Sequence, residues 1–440
     1  MSVMMSVPRS AAWIAALAGC AGVARTRPPD ALAPALARAE AAPARAQPLD
    51  DAALVQGGAL DRAAVVAAVL ARNPDLDAAR AAWRAQRAAY PAAVALDDPM
   101  ARYAIAPASI GADVGLGHAL EISQKLPWPG RRARRGDAAI ANAEAAEADL
   151  EALRLEIAAA AVQAFDDDYL AARALEVNRH HRELLAQIER SAIAGYAAGR
   201  ASQQDPLEAH TRILELDRER LVLETQQRAA VATLNRLLHR TQGADLPPPP
   251  EHLAAAPARA PRRDPPRQLA AAARVRARQA EADDAALAFY PSFEVMGSYS
   301  SMWDTWQHRW MIGVAVEIPL ARGRRDAEVE NARAEHARAV AELASLDAAL
   351  AESRARADSD IAEANQALAL YEQQLVPTLR QRVDAALAGF TAGQSPFSTV
   401  VTAERELGDA ELAVLRTRAA LDRGLAELDR LDGQVPGGAR

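Results

Sequence analysis

The sequence predicts a mainly α-helical protein with a small β part, arranged as two tandem halves. Three observations predict it. Half of the 440 residues are hydrophobic but only 4% are aromatic, and alanine supplies most of that half. Alanine favours helix and buries little area, so many close-packed helices fit this composition better than one thick core. Next, AGYAAGRASQQDPLEA at 194–209 and AGFTAGQSPFSTVVTA at 388–403 share an Ala-Gly-aromatic-x-Ala-Gly turn, with Tyr196 and Phe390 194 residues apart. Finally, two short regions switch from helical spacing to strict alternation, the period of a half-buried strand. A chain of this length needs two or more domains or one elongated body. The net charge of −7 is spread along the chain and gives no reason to expect a nucleic-acid partner.

The N-terminus reads as a secretory signal over residues 1–19. Arg9 precedes a short apolar stretch, Ala11 to Leu17, which is too short to span a bilayer. It ends Leu17-Ala18-Gly19-Cys20, which resembles the bacterial lipoprotein signal motif. Cys20 is the only cysteine, so no intramolecular disulfide can form, and its thiol is placed to accept a diacylglycerol. An incidental cysteine after a cleaved signal is the plainer alternative. A lipid chain contributes about 0.8 kcal/mol per buried CH₂, so a multiply acylated Cys20 would anchor the chain firmly. Ala21 after the cysteine fits the outer membrane. Residues 20–58 are rich in Ala, Pro and Arg without a steady period, which predicts a tether.

The first half is expected over 59–242. Helical spacing begins near Asp61 with Val65, Val66, Val69 and Leu70, breaks at Asn73-Pro74, and resumes to about residue 95. A β-hairpin is expected at 98–126, where Leu116, His118, Leu120 and Ile122 alternate with Gly115, Gly117, Ala119 and Glu121. Pro127, Trp128 and Gly130 punctuate its end, and long helices follow at 131–192 and about 203–240, joined by the turn at 194–203. A proline-rich linker is expected at 243–266.

The second half, 267–432, follows the same order of a helix, a hairpin at 292–319, a Pro/Gly turn, and a long helical pair. Trp310, Ile312, Val314, Val316 and Ile318 alternate with Met311, Gly313, Ala315 and Glu317, while Phe293, Val295 and Tyr299 alternate with Glu294, Met296 and Ser298. Pro319 and Gly323 stand where Pro127 and Gly130 stand in the first half. The helices at 324–387 and 397–432 are joined by the turn at 388–397, and 433–440 forms a tail. Each strand is near the ten residues that a tilted strand needs to cross a bilayer. Four strands cannot close a membrane barrel, and an open edge in lipid costs several kcal/mol per unpaired backbone group. Strands that span a membrane here therefore require several copies of the chain.

From about 60 to 432 this arrangement resembles the TolC family of outer-membrane efflux channels. The residues that carry the likeness are Leu126-Pro127-Trp128-Pro129-Gly130-Arg131, Ile318-Pro319-Leu320 with Gly323, and the Gly-aromatic-x-x-Gly turns around Tyr196 and Phe390. The stretch Ile122 to Gly130 looks most like the heavy-metal efflux branch. The resemblance implies a homotrimer whose strands form a twelve-strand barrel above a long α-barrel. It also implies a periplasmic adaptor and an inner-membrane RND-type pump as partners, outer-membrane lipid around the barrel, and a passive conduit exporting metal ions or small toxic compounds. By position, Tyr196, Gly199, Phe390 and Gly393 fall on the periplasmic turns where such channels constrict. Asp205 and Glu208 follow the first turn, but Thr399 and Thr402 stand where some relatives carry pore-ringing aspartates, so acid at the constriction comes here only from the first half. Asp205 also reads as a cap for the following helix, with Pro206 at its first position, and both aromatics read as packing residues.

No catalytic site, cofactor site or metal site is expected. Asp166-Asp167-Asp168 and His180-His181 are consecutive on a helix and point in different directions, and His180 and His181 read as solvated, His181 beside Glu189. Met296, Met302, His308 and Met311 could suit a soft metal, but Met296 and Met311 fit as lumen-facing strand residues. The alternative function is a lipid-anchored periplasmic adaptor or coiled-coil scaffold. Such proteins usually carry one helical hairpin, whereas this chain has two in tandem.

Overall fold

The computed structural model describes residues 54–111, 116–199, 202–253 and 262–436. The signal segment, Cys20 and the tether up to residue 53 lie outside the described residues. The folded body starts earlier than the residue 59 that composition suggested. β1 (Val55–Gln56) and β2 (Ala59–Leu60) pair as a small antiparallel hairpin, turned by Gly57 and Gly58 at φ 63° and 87°. Leu54 and Leu60 are buried in the core beneath it.

α1 (Arg62–Arg72) starts at Asp61, whose carboxylate accepts the Ala64 N–H at 2.8 Å. Asn73 ends α1 and caps α2 (Pro74–Val94) by accepting the Asp75 N–H at 2.9 Å, while Pro74 sits where a missing N–H costs nothing. β3 (Met100–Ala106) and β4 (Gly117–Leu126) form the first hairpin. α3 (Arg131–Ala197) then runs unbroken for 67 residues, on the order of 100 Å. α4 (Gln204–Leu237) returns along its second half. α5 (Pro266–Leu287), β5 (Ser292–Ser300) and β6 (Trp310–Glu317) follow. α6 (Arg322–Leu370) continues through a π-helical turn, Tyr371–Leu375, into α7 (Val376–Thr391), and α8 (Phe397–Leu431) returns.

Packing explains the alanines. α5 lies along the first half of α3 and buries Ala270, Ala273, Ala277 and Ala280, a three-and-four spacing that allows close backbone approach. Arg131–Asp284, Arg276–Glu144 and Arg274–Asp149 run up the flank of this pair at 3.0, 2.6 and 2.5 Å. Such surface pairs contribute little stability, and here they fix the register of two smooth helices. Further along, α3 packs against α4 on one side and α8 on the other, and α8 packs against α6 and α7. The main core sits at mid-height, where Phe165, Ile157 and Val162 of α3 meet Val65, Val66 and Val69 of α1 and Leu234 of α4. The segment expected as a proline-rich linker packs against this core over its described first part. Leu60 donates its N–H to the Pro248 carbonyl at 2.9 Å, the Tyr169 hydroxyl donates to the Glu251 carbonyl at 3.3 Å, and Leu246 and Leu253 lie on the cluster. Among the described residues, no helix is long and apolar enough to cross a membrane.

Phe165→Ala removes the largest apolar side chain of this junction and should cost about 3–5 kcal/mol. Thermal unfolding of the detergent-extracted protein should show the loss, and an unchanged melting temperature would mean that the mid-height core does not hold the helices together.

Candidate functional site

β3, β4, β5 and β6 form one antiparallel sheet in chain order, so β4–β5 pairing welds the two hairpins together. Register gives the sheet two chemically distinct faces. One carries Tyr103 and Ile105 of β3, Leu120 and Ile122 of β4, Phe293, Val295 and Tyr299 of β5, and Trp310, Ile312, Val314 and Val316 of β6. The other carries Arg102, Glu121, Ser123, Lys125, Glu294, Ser298 and Glu317, with Met296, Met311, Gly313 and Ala315 among them. The apolar face is bare: Ile312 is 84% and Val314 64% exposed. Aromatic rings bracket it. Tyr299, Trp306 and Trp310 cluster at the loop end, and Trp128 stacks on Tyr290 at 4.8 Å where the sheet meets the helices. Among the described residues, the outer edges of β3 and β6 have no strand beside them.

Two kinds of turn connect this sheet to the far end of the helices. Gly130, at φ 96°, starts α3, with Pro127 and Trp128 ahead of it. Arg131 there grips Asp284 of α5 through two bonds of 3.0 and 3.1 Å, and the Arg132 Nε donates to the Val94 carbonyl that ends α2. After β6, Arg325 donates in the same way to the Ala288 carbonyl that ends α5, at 2.8 Å. Pro319 precedes α6 as expected, but Gly323 lies within the first turn of α6 and is not left-handed, unlike Gly130. The entry into α6 is made by Leu320 and Arg322 instead, with the Arg322 N–H bonded to the Leu320 carbonyl at 2.9 Å.

The Ala-Gly-aromatic turns at the far end have matching backbones. Gly199 and Gly393 each have φ 70° and each donate an N–H to the preceding aromatic carbonyl, Tyr196 or Phe390, at 2.9 Å. Glycine is the residue that ends a helix in this left-handed form without a Cβ clash. Their aromatics differ: Tyr196 is exposed, whereas Phe390 packs edge-on against the buried Phe397 at 5.1 Å. Asp205 is not the cap itself. α4 begins one residue before it; the Ser202 hydroxyl accepts the Gln204 N–H and the Asp205 carboxylate accepts the Ser202 N–H, both at 3.2 Å, the reciprocal pattern of a capping box. Glu208, half-buried one turn on, is pushed up by burial and by the neighbouring Asp205 charge. Thr399 is half-buried in the first turn of α8, and Thr402 is exposed and donates its hydroxyl to the Ser398 carbonyl at 2.8 Å.

With this geometry in place, residues 265–434 match the family described as outer membrane efflux protein. This match falls within the second half of the chain. Solved structures share the fold over nearly the whole chain. The outer-membrane channel OprN matches with TM-score 0.74 at 22% identity, over 92% of this chain and 97% of its own. CusC, described in terms of transmembrane channel formation, matches with TM-score 0.74 at 18% identity, over 90% and 99%. The outer membrane protein VceC of Vibrio cholerae matches with TM-score 0.70 at 18% identity, over 84% and 95%. No curated protein sequence matches the chain. The shared fold and the family match agree with the likeness to outer-membrane efflux channels drawn from the turns.

The helices also hold polar groups that the sequence reading placed wrongly. His181 is not solvated and does not pair with Glu189, which instead bonds His210 at 2.9 Å. His181 is buried between α3 and α8, its Nδ1 2.8 Å from Glu404 Oε1 and its Nε2 3.1 Å from Glu411 Oε2. The two glutamates lie more than 220 positions away in sequence, which no local pattern could signal. Asp166 and Asp168 are buried as well, facing different neighbours as their spacing requires. Burial pushes Asp166 up to about 7 despite Arg62 at 3.3 Å, and Asp168 up to about 6 despite a hydrogen bond from Gln227. The soft-metal grouping does not form: Met302 lies over Gly117, Met296 over Gly313, and His308 meets Trp303 edge-on.

Two outcomes follow. Gly393→Ala should cost about 1 kcal/mol by forcing a Cβ into the left-handed region, and Gly199→Ala should cost the same, read as faster local hydrogen exchange at each turn. A raised carboxyl pKa gives stability that is present below the unfolded value and lost as pH climbs through the folded one. Asp168→Asn should therefore stabilise by about 1–2 kcal/mol at pH 8 and by little at pH 4, measured by thermal unfolding at both.

Proposed function

We propose that three copies of this chain form one outer-membrane conduit, the outer component of a tripartite efflux system, and that it exports metal ions or small toxic compounds. The observation that supports this most is the sheet: one bare apolar face bracketed by aromatic rings, one polar face, and two open edges. The apolar face suits lipid and the polar face suits a water-filled lumen. Joining β6 of one copy to β3 of the next satisfies both edges, and three copies make twelve strands. The helices favour the same joint, because α4 flanks one side of the α3–α8 pair and α6 with α7 the other. α4 also leaves Leu207, Leu214 and Leu221 exposed at seven-residue spacing, a seam suited to a helix of the next copy.

In this reading the two halves are structural repeats, Cys20 is lipidated after removal of residues 1–19, and 20–53 tethers the body to the membrane. The turns around Tyr196 and Phe390 face the periplasm, dock the adaptor that links to an inner-membrane RND-type pump, and carry the constriction, with Asp205 and Glu208 as its acid. The Ile122 to Gly130 stretch favours metal ions among the cargoes. Adjacent positions on β6 test the central part. Val314→Arg places a charge on the lipid face and should cost about 2–4 kcal/mol, abolishing assembly in the outer membrane. Ala315→Arg, one residue on and facing the lumen, should assemble. Equal assembly of both variants, judged by outer-membrane fractionation and heat-modifiable migration, would remove the sheet from the membrane.

A further inference from the structure

Below mid-height, the second helical hairpin meets the first through an apolar seam built mostly of its own residues around Phe397 and Val400, a small contact of Ala174 and Leu223 with Leu412, and a buried ionic cluster. The first hairpin offers the seam only Ile188, Ala192 and Ala209 as fully buried residues. Beside it lies His181, almost completely buried, with both ring nitrogens bonded to carboxylates of α8. An ionised carboxylate only accepts, so a ring bonded to two of them must donate from both nitrogens and is an imidazolium. Gly408, between the two glutamates on the same face of α8, faces the ring, and a Cβ there would stand in ordinary van der Waals contact with it at 3.5 Å. The charged groups around the ring come from every neighbouring helix. They are Glu404 and Glu411 of α8, Arg380 of α7 at 2.8 Å from Glu411, Arg212 of α4 at 3.6 Å from Glu404 with Glu215 behind it, and His180 of α3 in edge contact at 5.8 Å.

A hinge adjoins the cluster. Pro377 has no N–H to give and its ring excludes a carbonyl four residues back, and the helix answers with the π-helical turn Tyr371–Leu375, in which the Val376 N–H reaches the Tyr371 carbonyl. The segment beyond this turn is α7, which carries Arg380 into the cluster.

We propose that His181 is a proton-operated latch: as an imidazolium it ties the end of the second helical hairpin, from the π-turn to the start of α8, to α3, and loss of its proton frees that end to pivot at the turn. Without the proton, one ring nitrogen becomes an acceptor facing a carboxylate, and Glu404, fully buried, loses its nearest counter-charge. Burial opposes the charged ring, but the bonds from Glu404 and Glu411 outweigh it and carry His181 up to about 9, while the His181 bond leads in drawing Glu411 down to about 2. The latch is therefore complete between about pH 5 and 6.5 and is lost as pH rises through about 9.

The test is hydrogen–deuterium exchange of the intact, detergent-extracted protein between pH 6 and pH 10, corrected for intrinsic rates. Protection in residues 376–404 should fall by about tenfold or more between about pH 6.5 and pH 9 and level off above, while residues 223–237 of α4 hold theirs. His181→Gln, which carries no positive charge and no titratable proton, should show the low protection at every pH. Unchanged protection of 376–404 up to pH 10 in the unaltered protein overturns the latch without need of a variant. So does a His181→Gln protein that keeps the pH-dependent fall.

Discussion

A strand edge in hydrocarbon has nowhere to send its N–H and C=O groups, and this chain exposes two such edges, on β3 and β6, beside the most apolar surface it has. Everything else in the proposed assembly follows from meeting that constraint. The β4–β5 pairing brings residues from both halves into one sheet, so a single copy contributes its strands as one block and needs a neighbour on each side. The alternation that makes one face lipid-like also makes the other polar, and a one-residue slip of any strand would invert both. In the proposed assembly the aromatic rings at either end of the sheet, Trp310 and Tyr299 at the loop and Trp128 and Tyr290 at the helices, would set its height against a bilayer.

The helices extend the same wall without a thick core. Alanine at three-and-four spacing lets α3 and α5 approach closely, and arginine–carboxylate pairs keep two smooth surfaces in register. Specific packing is concentrated at mid-height, where α1, the β1–β2 hairpin and the strap around Pro248 close over Phe165. Towards the far end a second apolar cluster forms around Phe397 and Val400, and buried polar groups join it, with His181, Glu404 and Glu411 at the contact between the two hairpins. A buried ionic contact is strong while fully bonded and costly once one partner is lost, which suits a joint that must hold or release but not drift.

Periodicity and punctuation made much of this legible in the sequence. Alternation at Trp310 to Ile318 marks a strand because side chains repeat every two residues, and Gly199 and Gly393 mark helix ends because only a left-handed glycine terminates a helix so tightly. What local pattern could not show were contacts made across the fold. His181 looked solvated because its partners lie on another helix, more than 220 positions away. Gly323 looked like a second Gly130 because the repeat suggested it, yet the chain enters α6 at Arg322 without a left-handed residue. The prolines at 247–250 looked like a linker, while their carbonyls and flanking leucines lie on the core.

The most direct test of the central claim is the number of protomers in the detergent-extracted protein, read by native mass spectrometry. The account predicts three, the number at which the strands of this chain add to twelve and every edge is paired. A stable monomer would leave the edges of β3 and β6 open in lipid, and would contradict the conduit in favour of a lipid-anchored scaffold.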